Sequence, residues 1–158
     1  MLGSDPWPLW RKNIMFAGQY HCKLDEKGRF IFPTPLREQV EGDRVIFVKG
    51  QDLPLSAYSV QEWEKVLARV KESFDEDQSR LFMHYVVAEA ASSEIDKTGR
   101  VLIPGRLRKV IPLEDDLEIV VVGMFHRLEI WNPSEWRRYL MQHDEQLEEN
   151  LGKMLDLL

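Results

Sequence analysis

The residues of this chain best equipped for chemistry come in two matching sets. Asp25, Gly28 and Arg29 stand in LDEKGRFIFP, and Asp96, Gly99 and Arg100 stand in IDKTGRVLIP. An aspartate three residues ahead of a glycine can accept hydrogen bonds from the N–H groups of a tight turn. The glycine supplies the positive φ that such a turn needs. The arginine that leaves the turn carries a planar fork suited to phosphate or to a guanine edge. Lys27 and Lys97 lie within the turns and can neutralise phosphate. Arg37, Arg106, Arg108 and Lys109 flank the segments that follow and can support or extend such a face. A competing reading pairs Asp25 with Arg29 and Asp96 with Arg100, so that the motif braces the turn and the lysines make the contacts.

Other chemistries find little support. Asp25 and Asp96 as paired catalytic carboxylates compete with the simpler role of turn capping. Four histidines (His21, His84, His126, His143) form no HExxH or other close ligand spacing, so no metal site is expected. No GxGxxG or GxxxxGK[ST] stretch points to a nucleotide cofactor. Cys22 adjoins His21, but neighbours on a strand point to opposite faces, so no Cys–His pair forms. The lone cysteine reads as structural and fits a reducing compartment. The chain reads as not an enzyme and as needing no cofactor.

The 158 residues suffice for one ordinary domain or two small interlocked ones. A net charge of -6, from 27 acidic and 21 basic residues, argues against broad, non-specific nucleic-acid binding. The charge is unevenly placed. Asp96–Val110 holds five basic residues and one acidic, +4, whereas Asp144–Leu158 holds five acidic and one basic, -4. The corresponding first stretch, Asp25–Glu38, has three of each and is neutral. A local basic face on an acidic chain is therefore expected, with the second copy contributing more. No apolar run reaches membrane-spanning length, and the start lacks the apolar core of a secretory signal.

The elements that must position these residues are duplicated. LDEKGRFIFPTPLREQV and IDKTGRVLIPGRLRKVI align at an offset of 71, and AYSVQEWEKVL and IWNPSEWRRYL align at 73. Each copy reads as a polar-alternating strand (19–24; 92–95), the turn, and a hydrophobic strand (29–32; 100–103) ended by Pro33 or Pro104. A short helical turn (35–40; 105–111) and two strands follow (44–49 and 55–58; 117–122 and 127–131). Ser59 and Asn132 mark helix starts, with Pro133 at a tolerated first-turn position. Val60, Trp63, Leu67, Val70 and Phe74 form an amphipathic face, and Asp75 to Asp77 a break and cap. Leu81, Phe82, Tyr85, Val86 and Val87 form a second apolar stretch. The expected divisions are a flexible extension over 1–14, a first repeat over 15–72, a helical connection over 73–91, a second repeat over 92–143 and an acidic tail over 144–158. Trp7, Trp10, Trp131 and Trp136 are candidate exposed anchors for self-association.

MFAGQY, LDEKGRFIFPTPLRE, SVQEWEKVL, IDKTGRVLIPGRLRK and VVVGMFHRLEIWNPSEW together resemble the bacterial MraZ family from about Met15 to about Leu140. The half-unit DKTGRVLIPGRLRK also resembles the AbrB-type DNA-binding hairpin. Two features depart from the family pattern: Thr34 and Pro35 in the first copy, and Ala88-Glu89-Ala90 before the second. The resemblance implies an α/β (α+β) fold of duplicated AbrB-like split β-α-β units in one pseudo-twofold domain, with helices between and after the copies. It implies a transcriptional regulator that binds double-stranded DNA at short direct repeats in the promoter of the division and cell-wall gene cluster. It further implies a ring-like homo-oligomer in the cytoplasm, associated with the nucleoid and not with a membrane. The family signature falls on Asp25 and Arg29 and on Asp96 and Arg100. The alternative is a non-DNA-binding scaffold or an antitoxin-like interaction protein on the same fold.

Overall fold

The computed structural model describes residues 15–50 and 54–158. The extension over 1–14, with Trp7 and Trp10, lies outside the described residues. The element order is β1 (Gln19–Lys23), β2 (Arg29–Ile31), α1 (Thr34–Arg37), β3 (Arg44–Lys49), β4 (Leu55–Ser59), α2 (Val60–Ser73) and α3 (Glu76–Phe82). A π-helical turn, Met83–Val87, leads to β5 (Ala91–Glu94), β6 (Arg100–Leu102), α4 (Gly105–Arg108), β7 (Glu118–Gly123), β8 (Leu128–Trp131), α5 (Pro133–Gln142) and α6 (Asp144–Leu155).

The two copies interlock. One antiparallel sheet runs β1-β7-β8-β4-β3-β5, and β2 pairs with β6 in a separate ribbon. Each copy thus lends its first strand to the other copy's hairpin, β1 to β7 and β5 to β3. At the centre Ser56 faces Glu129, and Phe30 faces Val101 in the ribbon. Both are repeat-equivalent pairs, so the pseudo-twofold axis passes between them. The fold is the duplicated AbrB-like one in a single pseudo-twofold domain.

The ribbon, with α1 and α4, covers one face of the sheet. Phe30, Phe32, Val101 and Ile103 point inward with Leu36 and Leu107, onto Val45, Phe47, Ile119, Val121, Leu128 and Ile130. Alternation along β7 sends Val120 and Val122 to the opposite face, where Trp131 and Trp136 cover them. Ser59 accepts from the Glu62 N–H to start α2, and Asn132 from the Glu135 N–H to start α5. Asp75 and Gln78 form a capping box at α3.

Three expectations are corrected. Strand β7 begins at Glu118, not Leu117, because Leu117 takes a φ of 56° after the acidic turn at Glu114–Asp116. Ladder partners show that the offset is 74 at β3 and β7, so three residues enter before β7 and one is lost in the β7–β8 loop. Trp131 is buried at 6% exposure, packed at a tilt against Trp136 and Tyr139, and offers no surface anchor. In the second apolar stretch Leu81 and Tyr85 are exposed, while Phe82 packs on Trp63.

Candidate nucleic-acid interface

Each Asp-x-x-Gly-Arg segment is a corner between layers, carrying the chain from the sheet (β1 or β5) into the ribbon (β2 or β6). Asp25 Oδ1 accepts from the N–H groups of Lys27 and Arg29, both at 2.9 Å, and the Gly28 N–H donates to the Asp25 carbonyl at 3.0 Å. Asp96 repeats the pattern with Thr98 and Arg100, both at 2.9 Å. Gly28 and Gly99 have φ of 90° and 85°, where a side chain would be strained. The ribbon ladder extends to the corners, with Phe32 N–H donating to the Gly99 carbonyl and Ile103 N–H to the Gly28 carbonyl. The two corners therefore lie at opposite ends of the ribbon, not side by side on one edge.

Arg29 Nε donates to Asp25 Oδ2 at 2.8 Å, and Arg100 Nε to Asp96 Oδ2 at 2.9 Å. The pairing across the turn, raised as an alternative, forms in both copies. It does not consume the arginines. Among the described residues neither terminal nitrogen of Arg29 or Arg100 has a protein hydrogen bond, and the side chains are 29% and 41% exposed. Backbone N–H donation, first from Arg29 or Arg100, holds both carboxyls below the usual aspartate range, and the Thr98 hydroxyl adds to this at Asp96. Both aspartates are therefore charged at neutral pH.

The register gathers these groups on one surface. Arg29 faces Leu102 and Ile31 faces Arg100. With Phe30 and Val101 buried beneath, the ribbon's outer face presents two diagonal arginines and two exposed apolar side chains, Ile31 and Leu102. Lys27, Lys97 and Thr98 are exposed at the corners. The lysines are not equivalent: Lys27 aligns with Thr98, and Lys97 with Glu26.

The remaining basic candidates divide. Lys109 is exposed. Arg106 reaches the Ala90 carbonyl at 3.2 Å and Glu89 at 3.5 Å. Arg37 turns back to the Val40 carbonyl at 3.2 Å. Arg108 crosses between copies, its Nη1 donating to the Lys27 carbonyl at 2.8 Å and approaching the Ile103 carbonyl at 3.3 Å. Arg106, Arg108 and Lys109 line an open groove with Gly105, Ile111 and Leu113.

Three contributions escaped the sequence reading: the Thr98 hydroxyl on Asp96 at 2.8 Å, the Arg108 crossing, and the place of Ile31 and Leu102 beside the arginines. Strict two-residue alternation from Arg29 and Arg100 would have found the last. Among the described residues no group of three or more His, Cys, Asp or Glu is placed to hold a metal. Burial pushes the Cys22 thiol up to about 11, so it carries little thiolate at neutral pH.

A family described as "MraZ protein, putative antitoxin-like" matches residues 15–84 and again 86–158. The chain is 37% identical over 143 residues to the transcriptional regulator MraZ of Moorella thermoacetica, covering 90% of this chain and 98% of the relative. It is 39% identical to that of Desulforamulus reducens, covering 91% and 100%, and 40% identical to that of Acetivibrio thermocellus, covering 79% and 86%. The chain, with its two signature corners and interlocked copies, belongs to the MraZ family.

Proposed function

We propose that this protein is a non-catalytic transcriptional regulator that binds double-stranded DNA through the outer face of the β2–β6 ribbon. The observation that carries the reading is the register that sets Arg29 and Arg100 on one exposed face, each held at Nε by its own aspartate. An arginine held this way is pre-oriented, so less side-chain freedom is lost on binding. A two-stranded ribbon fits the major groove of B-DNA, where an arginine fork can meet guanine O6 and N7. Ile31 and Leu102 supply apolar contact for thymine methyl groups. Lys27, Lys97 and Lys109 neutralise flanking phosphates.

One such face on an acidic chain is a small site. We infer a ring-like homo-oligomer that sets several ribbons against short direct repeats, so that affinity comes from multivalency. The proposed target is the promoter of the division and cell-wall gene cluster, bound in the cytoplasm on the nucleoid. No described helix is long and apolar enough to cross a membrane.

The test is a competition assay. Labelled duplex from the segment upstream of the protein's own coding sequence is bound in the presence of excess scrambled duplex. Retention of the labelled complex, weakening steeply with added salt, is expected. Equal displacement by the scrambled duplex would remove the sequence-specific reading.

A further inference from the structure

The two corners are built from matching residues but held differently. At the first, Arg108 from the second copy lies over Gly28 and donates to the carbonyl of Lys27. A Cβ placed on Gly28 would fall 1.3 Å from Arg108 Nη1, so a side chain there would displace the guanidinium from its place over the corner, and the φ of 90° separately favours glycine. Gly28 is buried in consequence. At the second corner Gly99 is only half-buried and has nothing within 4 Å of the same position. Arg37, the equivalent of Arg108, does not cross, and the Thr98 hydroxyl braces the corner from within.

Beside the crossing the two copies differ at Gly105 against Thr34. A Cβ on Gly105 would already touch Arg108 Nη2 at 3.5 Å. Threonine at that position adds two further heavy atoms beyond this Cβ, next to the place the guanidinium occupies. The first copy has that threonine, and its arginine turns away to Val40.

We propose that Arg108 is a positioning residue of the DNA interface: it locks the first corner from the opposite copy and so fixes the turn that presents Lys27 and Arg29. This rests on the ribbon being the DNA-binding face. It takes Arg108 out of the set of phosphate contacts and gives the second copy a structural hold over the first.

The experiment uses the full chain with three substitutions: Arg108→Met, Gly105→Thr and Lys27→Ala. Gly105→Thr keeps every charge, and Gly105 has no positive φ, so threonine is tolerated by the backbone. Two readouts are taken. Hydrogen exchange without DNA should rise on the order of tenfold over residues 25–29 in Arg108→Met and Gly105→Thr, and stay unchanged over 96–100. Binding to the upstream duplex, measured by anisotropy across a salt series, should weaken on the order of tenfold in both. The slope of log K against log salt should stay that of the parent, while Lys27→Ala, which removes a proposed phosphate contact, makes it shallower. If Arg108→Met makes the slope shallower and Gly105→Thr binds as the parent, Arg108 is a phosphate contact and the proposal is overturned. Parental exchange and affinity in both variants would overturn it as well. Failure of the parent to bind the duplex defeats the DNA reading and the positioning role with it, while the exchange contrast would still establish the lock.

Discussion

The first and second corners share a motif and a backbone, yet their surroundings have diverged. The first has a neutral flank, a buried glycine and an external lock from Arg108. The second has a flank of +4, an open glycine and an internal hydroxyl on its aspartate. Duplication supplied two equivalent turns, and each acquired one extra hydrogen bond from a different source. The first is the better enclosed and the second the more available, with Arg100 more exposed than Arg29.

The largest stability effect is expected at Gly28. Gly28→Ala imposes a positive φ on alanine and displaces the Arg108 guanidinium, for a loss of about 2–4 kcal/mol in urea unfolding. Gly99→Ala meets only the φ penalty, about 1 kcal/mol. Equal losses would erase the distinction between an enclosed and an open corner. For DNA, Arg100→Ala should weaken binding more than Arg29→Ala, each by about 1–3 kcal/mol in anisotropy titrations. The reverse order would show that the charge around the second copy does not set its share.

Smaller effects sharpen the same contrast. Thr98→Val should cost about 0.5–1 kcal/mol, since it removes one exposed hydrogen bond and leaves the rest of the turn. Both aspartates are held below their usual range in the folded protein. Their contribution to stability is therefore present above the ordinary aspartate pKa, about 3.9, and is lost as pH falls through the folded values. Carboxyl chemical shifts should show Asp96 titrating at lower pH than Asp25, and Thr98→Val should bring the two closer. Identical titration of both before substitution would count against the hydroxyl as an added brace.

Much of this was legible in the chain. Paired Asp, Gly and Arg at fixed spacing located both turns, Pro33 and Pro104 marked the strand ends, and Ser59, Asp75 and Asn132 capped helices where their side chains suggested. Partner choice was not legible. Alternation tells which side of a strand is buried but not which strand lies beside it, so the exchange of β1 and β5 between copies had no sequence signal. Trp131 read as surface because a tryptophan at the end of a strand gives no hint of the α5 aromatics that cover it. The Arg108 lock was hidden in an ordinary surface-type residue. Its nearest sign was Gly105 replacing Thr34, a loss of side chain that has meaning only once the opposite corner is known to lie there.

The central claim is that the two signature arginines form one DNA-binding face. The most direct measurement compares the parent with Arg29→Ala/Arg100→Ala on the upstream duplex, after circular dichroism and light scattering have shown the variant still folded and in the parent's assembly state. The account predicts a loss of at least about thirtyfold in affinity. Parental affinity would contradict it.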